Sequence, residues 1–240
     1  MRPGKTFRLD GKEIPFTLGQ TIMDATLAAG GYIPHLCHEP GYTPHGSCRV
    51  CVVKVGGRTV SACTAPAADG IEVDSSSMEL QDTRRAILQM LFVEGNHICP
   101  GCEKSGACRL QALAYYTGML TPRFSHFSPR REVDASHPDF IIDFNRCILC
   151  ELCVRASRER DGKQVFAVSG RGLDSHLVID SPSGKLGDSS FEGRDRAASI
   201  CPVGAILPKH KGYDVPIGER PYDREPIGPA GDPASAKGEG

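Results

Sequence analysis

The sequence predicts an α+β chain of three small units in tandem, on three observations: alternating hairpin segments at the N-terminus, a helical periodicity in the middle, and eleven cysteines in three separate groups along 240 residues. A hydrophobic content of 40% is ordinary for a globular chain and is enough to bury a core. The 28 basic and 29 acidic residues nearly cancel, and no basic run is dense enough to neutralise a phosphate backbone, so nucleic acid is not an expected partner. Met1 to Asp10 lacks the apolar stretch of a secretory signal, and no apolar run nears the roughly 18 residues that cross a bilayer. The expectation is a cytoplasmic chain without membrane insertion. Eleven cysteines are too many for a reducing compartment unless something other than disulfides uses them, and an odd number cannot all pair. Metal ligation is the expected use.

The first unit, residues 1–77, opens on a hairpin over Thr6 to Thr17 with Asp10-Gly11 at its turn. Ile22, Ala25, Ala28 and Ala29 then fall at helical spacing, and Gly30-Gly31 stops the helix. After a loop carrying Cys37, Cys48 and Cys51, a second hairpin is expected from Val50 to Val55 and Arg58 to Cys63, closed by Gly56-Gly57, with a last strand at Ile71 to Val73. The second unit, 78–120, is helical. Leu80, Ile87, Leu88, Leu91 and Phe92 share one face of a helix over Met78 to Val93 that Ser77 is placed to cap, and a further helix is expected over Arg109 to Thr117. A linker rich in Pro, Ser and Arg covers residues 121–138. The third unit, 138–210, has strands expected at Phe140 to Asp143, Val165 to Val168 and His176 to Asp180. The tail, 211–240, holds five prolines and six glycines and too little apolar material to fold alone; it is expected to be extended, laid across a partner, or disordered.

The cysteine spacings point to particular chemistry. Cys37, Cys48, Cys51 and Cys63 read C-x10-C-x2-C-x11-C, which suits a [2Fe-2S] core, the x2 pair gripping one iron and the two outer cysteines the other. Gly41, Gly46 and Ser47 let that loop curl closely. A four-cysteine zinc site is the alternative, for which a ten-residue first gap is atypical. Cys99, Cys102 and Cys108 supply three thiolates where a [4Fe-4S] cube wants four donors; His97 is the nearest candidate for the fourth, with Glu94 and Glu103 behind it and a zinc knuckle as the alternative for the group. Cys147, Cys150 and Cys153, at C-x2-C-x2-C, suit three corners of a second cube, and Cys201, followed by Pro202, is expected to close it across 47 intervening residues. All eleven thiols are thereby used, leaving none for a disulfide or a nucleophile. One [2Fe-2S] and two [4Fe-4S] clusters are the expected cofactors.

These groups, the segment from Cys99 to Gln111 and the Cys147 triplet with its distant Cys201-Pro202 resemble the N-terminal iron-sulfur region of the large peripheral-arm subunit of respiratory complex I, which also opens the iron-only hydrogenases. The resemblance covers residues 1 to about 210. It implies a β-grasp [2Fe-2S] ferredoxin-like domain, a small helical His/Cys3 cluster domain and a [4Fe-4S] ferredoxin-like domain. The family's histidine usually stands four positions before its first middle cysteine; His97 stands two before Cys99. A chain without the long catalytic domains looks most like the small diaphorase subunit of cytosolic NAD-reducing [NiFe] hydrogenases. That likeness implies a flavin/NAD-binding diaphorase subunit and the hydrogenase small and large subunits as partners, with a relay of electrons between them. A related subunit serves NAD-dependent formate dehydrogenases, whose catalytic subunit is the alternative terminus, as is a complex I-like NADH dehydrogenase.

No G-x-G-x-x-G follows a strand, so no residues of this chain are expected to bind NAD or flavin. No catalytic residues are expected either. Ser125-His126 and Ser136-His137 read as solvated linker, and neighbours in sequence do not make a triad. A multi-zinc scaffold is the remaining structural class.

Overall fold

Local chemistry sets the first sheet. Asp10 (φ 49°) and Gly11 (φ 83°) form the two-residue turn that joins β1 (Thr6–Leu9) to β2 (Lys12–Pro15), both in the left-handed region that such a turn demands. Gly56 and Gly57 do the same between β3 (Val52–Val55) and β4 (Arg58–Ser61). The computed structural model describes residues 5–127, 129–229 and 231–233. With β5 (Glu72–Asp74) the strands form a five-stranded mixed sheet in the order β2-β1-β5-β3-β4, only β1 and β5 running parallel. Helix α1 (Ile22–Ala28) starts at a capping box: the Thr21 hydroxyl accepts from the Asp24 amide, and the Asp24 carboxylate accepts from the Thr21 amide. Its buried Ile22, Met23 and Ala25 join Phe7, Ile14, Ile33, Val53 and Val73 in a core of their own.

Helix α2 (Met78–Glu94) buries Leu80, Leu88 and Val93, and with them Arg84 and Gln89. Ser77 holds the cap position but makes no capping bond. Asp74 instead accepts from the Ser76 and Ser77 amides at 3.0 Å each and so fixes the entry to the helix. Arg84 is fully buried and donates to the carbonyls of Val50, Val52 and Ser75, which staples α2 to the start of β3. Helix α3 (Arg109–Tyr116) packs on α2.

The linker does not stay apart from the fold. Within it, β6 (Val133–Asp134) pairs with β7 (Phe140–Asp143), which pairs in turn with β10 (Ile206–Pro208) in a three-stranded antiparallel sheet. His137, expected in solvated loop, is buried edge-on against Phe140 and Phe191, because Phe191 returns from a distant loop to cover it. Between β7 and β10 come α4 (Leu152–Glu159), the hairpin of β8 (Phe166–Ser169) and β9 (His176–Ile179), and α5 (Arg196–Ser199). Leu88 of α2, Leu110 and Leu113 of α3, and Ile142, Leu152 and Ile206 share one core, so the expected second and third units pack as neighbours around common apolar side chains.

The tail through residue 229, and again over 231–233, is laid along this body. It carries α6 (Pro221–Arg224), buries Ile227, and seats Asp232 against Arg109. Residues 1–4 of the first unit and 230 and 234–240 of the tail lie outside the described residues. No helix among the described residues is long and apolar enough to cross a membrane.

Candidate metal centres

Hairpin register builds the first centre. β3 and β4 pair Val52 with Ser61, and the bond from the Ala62 amide to the Cys51 carbonyl extends that ladder, so Cys51 and Cys63 leave the same end of the hairpin with their sulfurs 3.3 Å apart. The Cys48 amide lies 3.5 Å from the Cys37 sulfur. Cys51 and Cys63 are thus sulfur neighbours although eleven residues separate them, and the Cys37 thiol meets those of both Cys48 and Cys63. Register overrides proximity in sequence. Gly41, Gly46 and the non-glycine Arg49 (φ 57°) all take left-handed conformations that curl the loop. All four cysteines are buried. Hydrogen bonds from the Cys48 and Cys63 thiols pull the Cys37 thiol far below its ordinary range, and the same contacts raise Cys48 and Cys63.

The second centre surrounds a cavity of about 20 Å³ lined by His97, Cys99, Cys102 and Cys108, with Phe92, Arg146 and Gly204 on its walls. The His97 Nε2 is buried with no hydrogen-bond partner, and its ring packs edge-on against Phe92. Burial, reinforced by the Arg146 charge, lowers the imidazole to about 4, which keeps it neutral with a free lone pair, the form that ligates iron. Glu103 is engaged by Arg146 at 2.9 Å, and Glu94 is not among the lining residues. Burial pushes the Cys108 thiol up to about 12 and raises Cys99. Two glycines guard the space. A Cβ on Gly95 would lie 2.3 Å from the His97 Nε2, and one on Gly204 would lie 2.6 Å from the Cys102 sulfur.

Cys147, Cys150, Cys153 and Cys201 line a third cavity, also of about 20 Å³, walled by Ile148, Val168, Leu177 and Val203. The pairing of β10 with β7 returns the chain after its long excursion and sets Cys201 beside the triplet. Leu149 (φ 50°) and Glu151 (φ 56°) are both left-handed, and neither is glycine. Such reversals turn successive backbone N–H groups inward into a concavity that suits an anionic core. Burial raises the Cys147 thiol to about 11 and Cys150 and Cys153 well above the ordinary range, so their thiolates call for a cation to stabilise them.

The donor sets fit iron-sulfur cores. In each centre the thiols are buried or half-buried, and the second offers an orphaned buried imidazole nitrogen where a thiolate is missing. In the second and third centres the sulfurs stand around cavities.

The first cysteine loop lies on α4, which carries Cys153 of the third group's triplet, and on the residues that cap it: the Thr43 amide donates to Glu159 at 3.0 Å, Arg160 donates to the Gly41 carbonyl at 2.8 Å, and His45 meets Glu151 at 3.0 Å. On its other side the Cys201 loop meets the second group. The Arg109 amide donates to the Pro202 carbonyl at 2.9 Å, and Arg146, next to Cys147, reaches the Cys102 sulfur at 3.7 Å. The third group thus touches both others.

Three family models match in the same order: a 2Fe-2S iron-sulfur cluster binding domain over residues 5–78, an NADH-ubiquinone oxidoreductase-G iron-sulfur binding region over 84–123, and a 4Fe-4S single cluster domain over 140–207. The gamma subunit of the NAD-reducing hydrogenase HoxS of Cupriavidus necator is 40% identical over 220 residues, 91% of this chain and 93% of that one. The alpha subunit of the NADPH-Fe(3+) oxidoreductase of Geobacter sulfurreducens is 36% identical over 84% of this chain, which spans 24% of that longer protein. Among solved structures, a chain of an NAD+-reducing [NiFe]-hydrogenase in the H2-reduced state superposes with a TM-score of 0.93 at 53% identity, over 96% of this chain and 98% of that one.

Proposed function

The chain belongs to the family of the NAD-reducing hydrogenase gamma subunit, and from that premise we propose that it is the electron-transfer subunit of such an oxidoreductase complex, without an active site of its own. It relays electrons between a flavin/NAD-binding diaphorase subunit and the [NiFe] hydrogenase small and large subunits. The observation that carries this reading is the gathering of three buried donor sets along a chain that matches a hydrogenase chain over nearly its whole length.

In the proposed assignment Cys37, Cys48, Cys51 and Cys63 hold a [2Fe-2S] cluster, while His97, Cys99, Cys102 and Cys108 hold one [4Fe-4S] cluster and Cys147, Cys150, Cys153 and Cys201 the other. When bound, such clusters accept and release single electrons at potentials set by ligand charge, hydrogen bonds to sulfur and burial. The units are proposed as 1–77, 78–120 and 138–210, with 211–240 as an extended tail whose described residues meet the second unit at Gly106 and Arg109. Residues of the protein do the rest. The Cys37 loop resting on α4 and the Cys201 loop resting on Arg109 fix the gaps between donor sets, and the apolar walls exclude water from them. The first loop also meets the second group through the Glu39–Arg109 pair. Among the described residues, however, side chains beside the third group's cysteines reach a ligand sulfur of the second group (Arg146 to Cys102) and a ligand carbonyl of the first (Arg155 to Cys37). On that basis we assign the third group the middle place in the relay, with the first and second groups at the two ends. His97 offers a neutral ligand, which favours a higher potential in its centre than four thiolates would.

The test is direct. Anaerobically prepared chain is expected to carry about ten irons, with matching acid-labile sulfide and separate EPR signals for two- and four-iron centres. It is expected to reduce no NAD and consume no hydrogen until its partner subunits are added. A colourless, zinc-loaded protein, or hydrogenase activity from the chain alone, overturns the reading.

A further inference from the structure

Arg155 lies in α4, two residues past Cys153, and its side chain is almost wholly buried at 4% exposure. A guanidinium that deep normally faces a carboxylate. Among the described residues this one donates only to backbone carbonyls, and they belong to two different cysteine loops. Its Nη2 donates to the Cys37 carbonyl and to the Cys150 carbonyl at 3.3 Å, while Nη1 donates to the Thr43 carbonyl at 3.0 Å and Nε to the Glu151 carbonyl at 3.3 Å. One planar fork therefore ties a ligand residue of the first centre to a ligand residue of the third. No other contact described joins two ligand residues of different centres through a single side chain.

We propose that Arg155 is a positioning residue of the relay: it holds the first and third centres at a fixed separation and, as a shared buried cation, raises the reduction potentials of both. The inference rests on the cluster assignment above. Its physics is simple. An electron added to either centre adds negative charge, and a cation in a low-dielectric interior stabilises that state. Carbonyl partners orient the guanidinium without neutralising it, so its charge remains available to both centres. Arg84 supplies the contrast, since its carbonyl partners Val50, Val52 and Ser75 all lie in the first unit.

The experiment is an EPR-monitored redox titration of the iron-loaded full chain, as wild type, Arg155→Met, Arg155→Lys and Arg84→Met. In R155M the first and third centres are expected to titrate at lower potential, the second is expected not to move, and the spin–spin broadening between the first and third signals is expected to weaken. R155K, which keeps the charge but not the fork, is expected to restore most of the potential shift and little of the broadening. R84M is expected to move the first centre alone. Iron-replete R155M with wild-type potentials overturns the proposal, as does an equal shift of all three centres, which would mean general loosening. Should R155M fail to retain iron, R155K decides: unchanged broadening there overturns the bridging role. Wild-type chain without these signals would instead sink the cluster assignment, so the two failures are distinguishable.

Discussion

His97 turns on a single atom. Its Nε2 is buried and meets no donor or acceptor among the described residues, while His97 lines the cavity of Cys99, Cys102 and Cys108, an arrangement that costs about 1–3 kcal/mol unless something binds there. His97→Ala is therefore expected to change the EPR signal of the second centre alone and to lower its iron content. His97→Cys is expected to keep the iron and lower that centre's potential, because thiolate adds negative charge; an unmoved potential in H97C would show that another group holds that corner. Gly204 sits after Cys201, yet its missing Cβ makes room for Cys102. Gly204→Ala should accordingly disturb the second centre before the third, read as a shifted or broadened second signal with the third unchanged.

Elements carry the register that individual residues cannot. The capping box of α1 uses the Thr21 hydroxyl, so Thr21→Ala is expected to destabilise the chain by about 1 kcal/mol, measured as a shift in denaturation midpoint; Thr21→Ser should recover it. The first sheet, both hairpin turns and α1 to α3 were legible in the sequence, because Asp10-Gly11, Gly56-Gly57 and the periodic face of α2 are strong local signals. The cysteines and His97 stood out for a different reason, residue type and spacing, and the fold brings His97 to line one cavity with Cys99, Cys102 and Cys108. What escaped was decided by tertiary contact. The short helices α4, α5 and α6 and the strands β6 and β10 carry too few residues for a period to show, and β6 and β10 exist because β7 lies between them. The association of Cys51 with Cys63 follows from strand register rather than spacing. Arg84 and Arg155 look like surface residues on paper, and only the carbonyls that converge on them reveal otherwise. Leu149 and Glu151 carry no glycine to announce their left-handed backbone.

At the scale of the molecule, charged side chains fasten the ends of the chain to its centre. Arg109 opens α3 directly after Cys108, is buried, and meets Glu39 of the first cysteine loop at 2.9 Å and Asp232 of the tail at 2.7 Å; Glu39 also meets Arg196 of α5 at 3.3 Å. The Tyr222 hydroxyl donates to Asp232 at 2.7 Å, which leaves the tail held by α6 and this carboxylate together. One network thus joins the first loop, the second group, α5 and the tail, and a Pro- and Gly-rich segment keeps its place through buried charge as well as the apolar contacts of Ile227 and Tyr222. Removing one partner of a buried pair leaves the other desolvated, which typically costs about 3–5 kcal/mol. Because Glu39 still faces Arg109, Asp232→Ala is expected at the low end, about 3 kcal/mol, in denaturant unfolding of the loaded chain. The same loss frees the start of α3, so the second centre, whose Cys108 precedes Arg109, is expected to lose iron to a chelator faster than the third. A D232A protein with an unchanged midpoint and equal chelation rates would mean that the tail merely rests on the body, and that the geometry of the second centre is set without it.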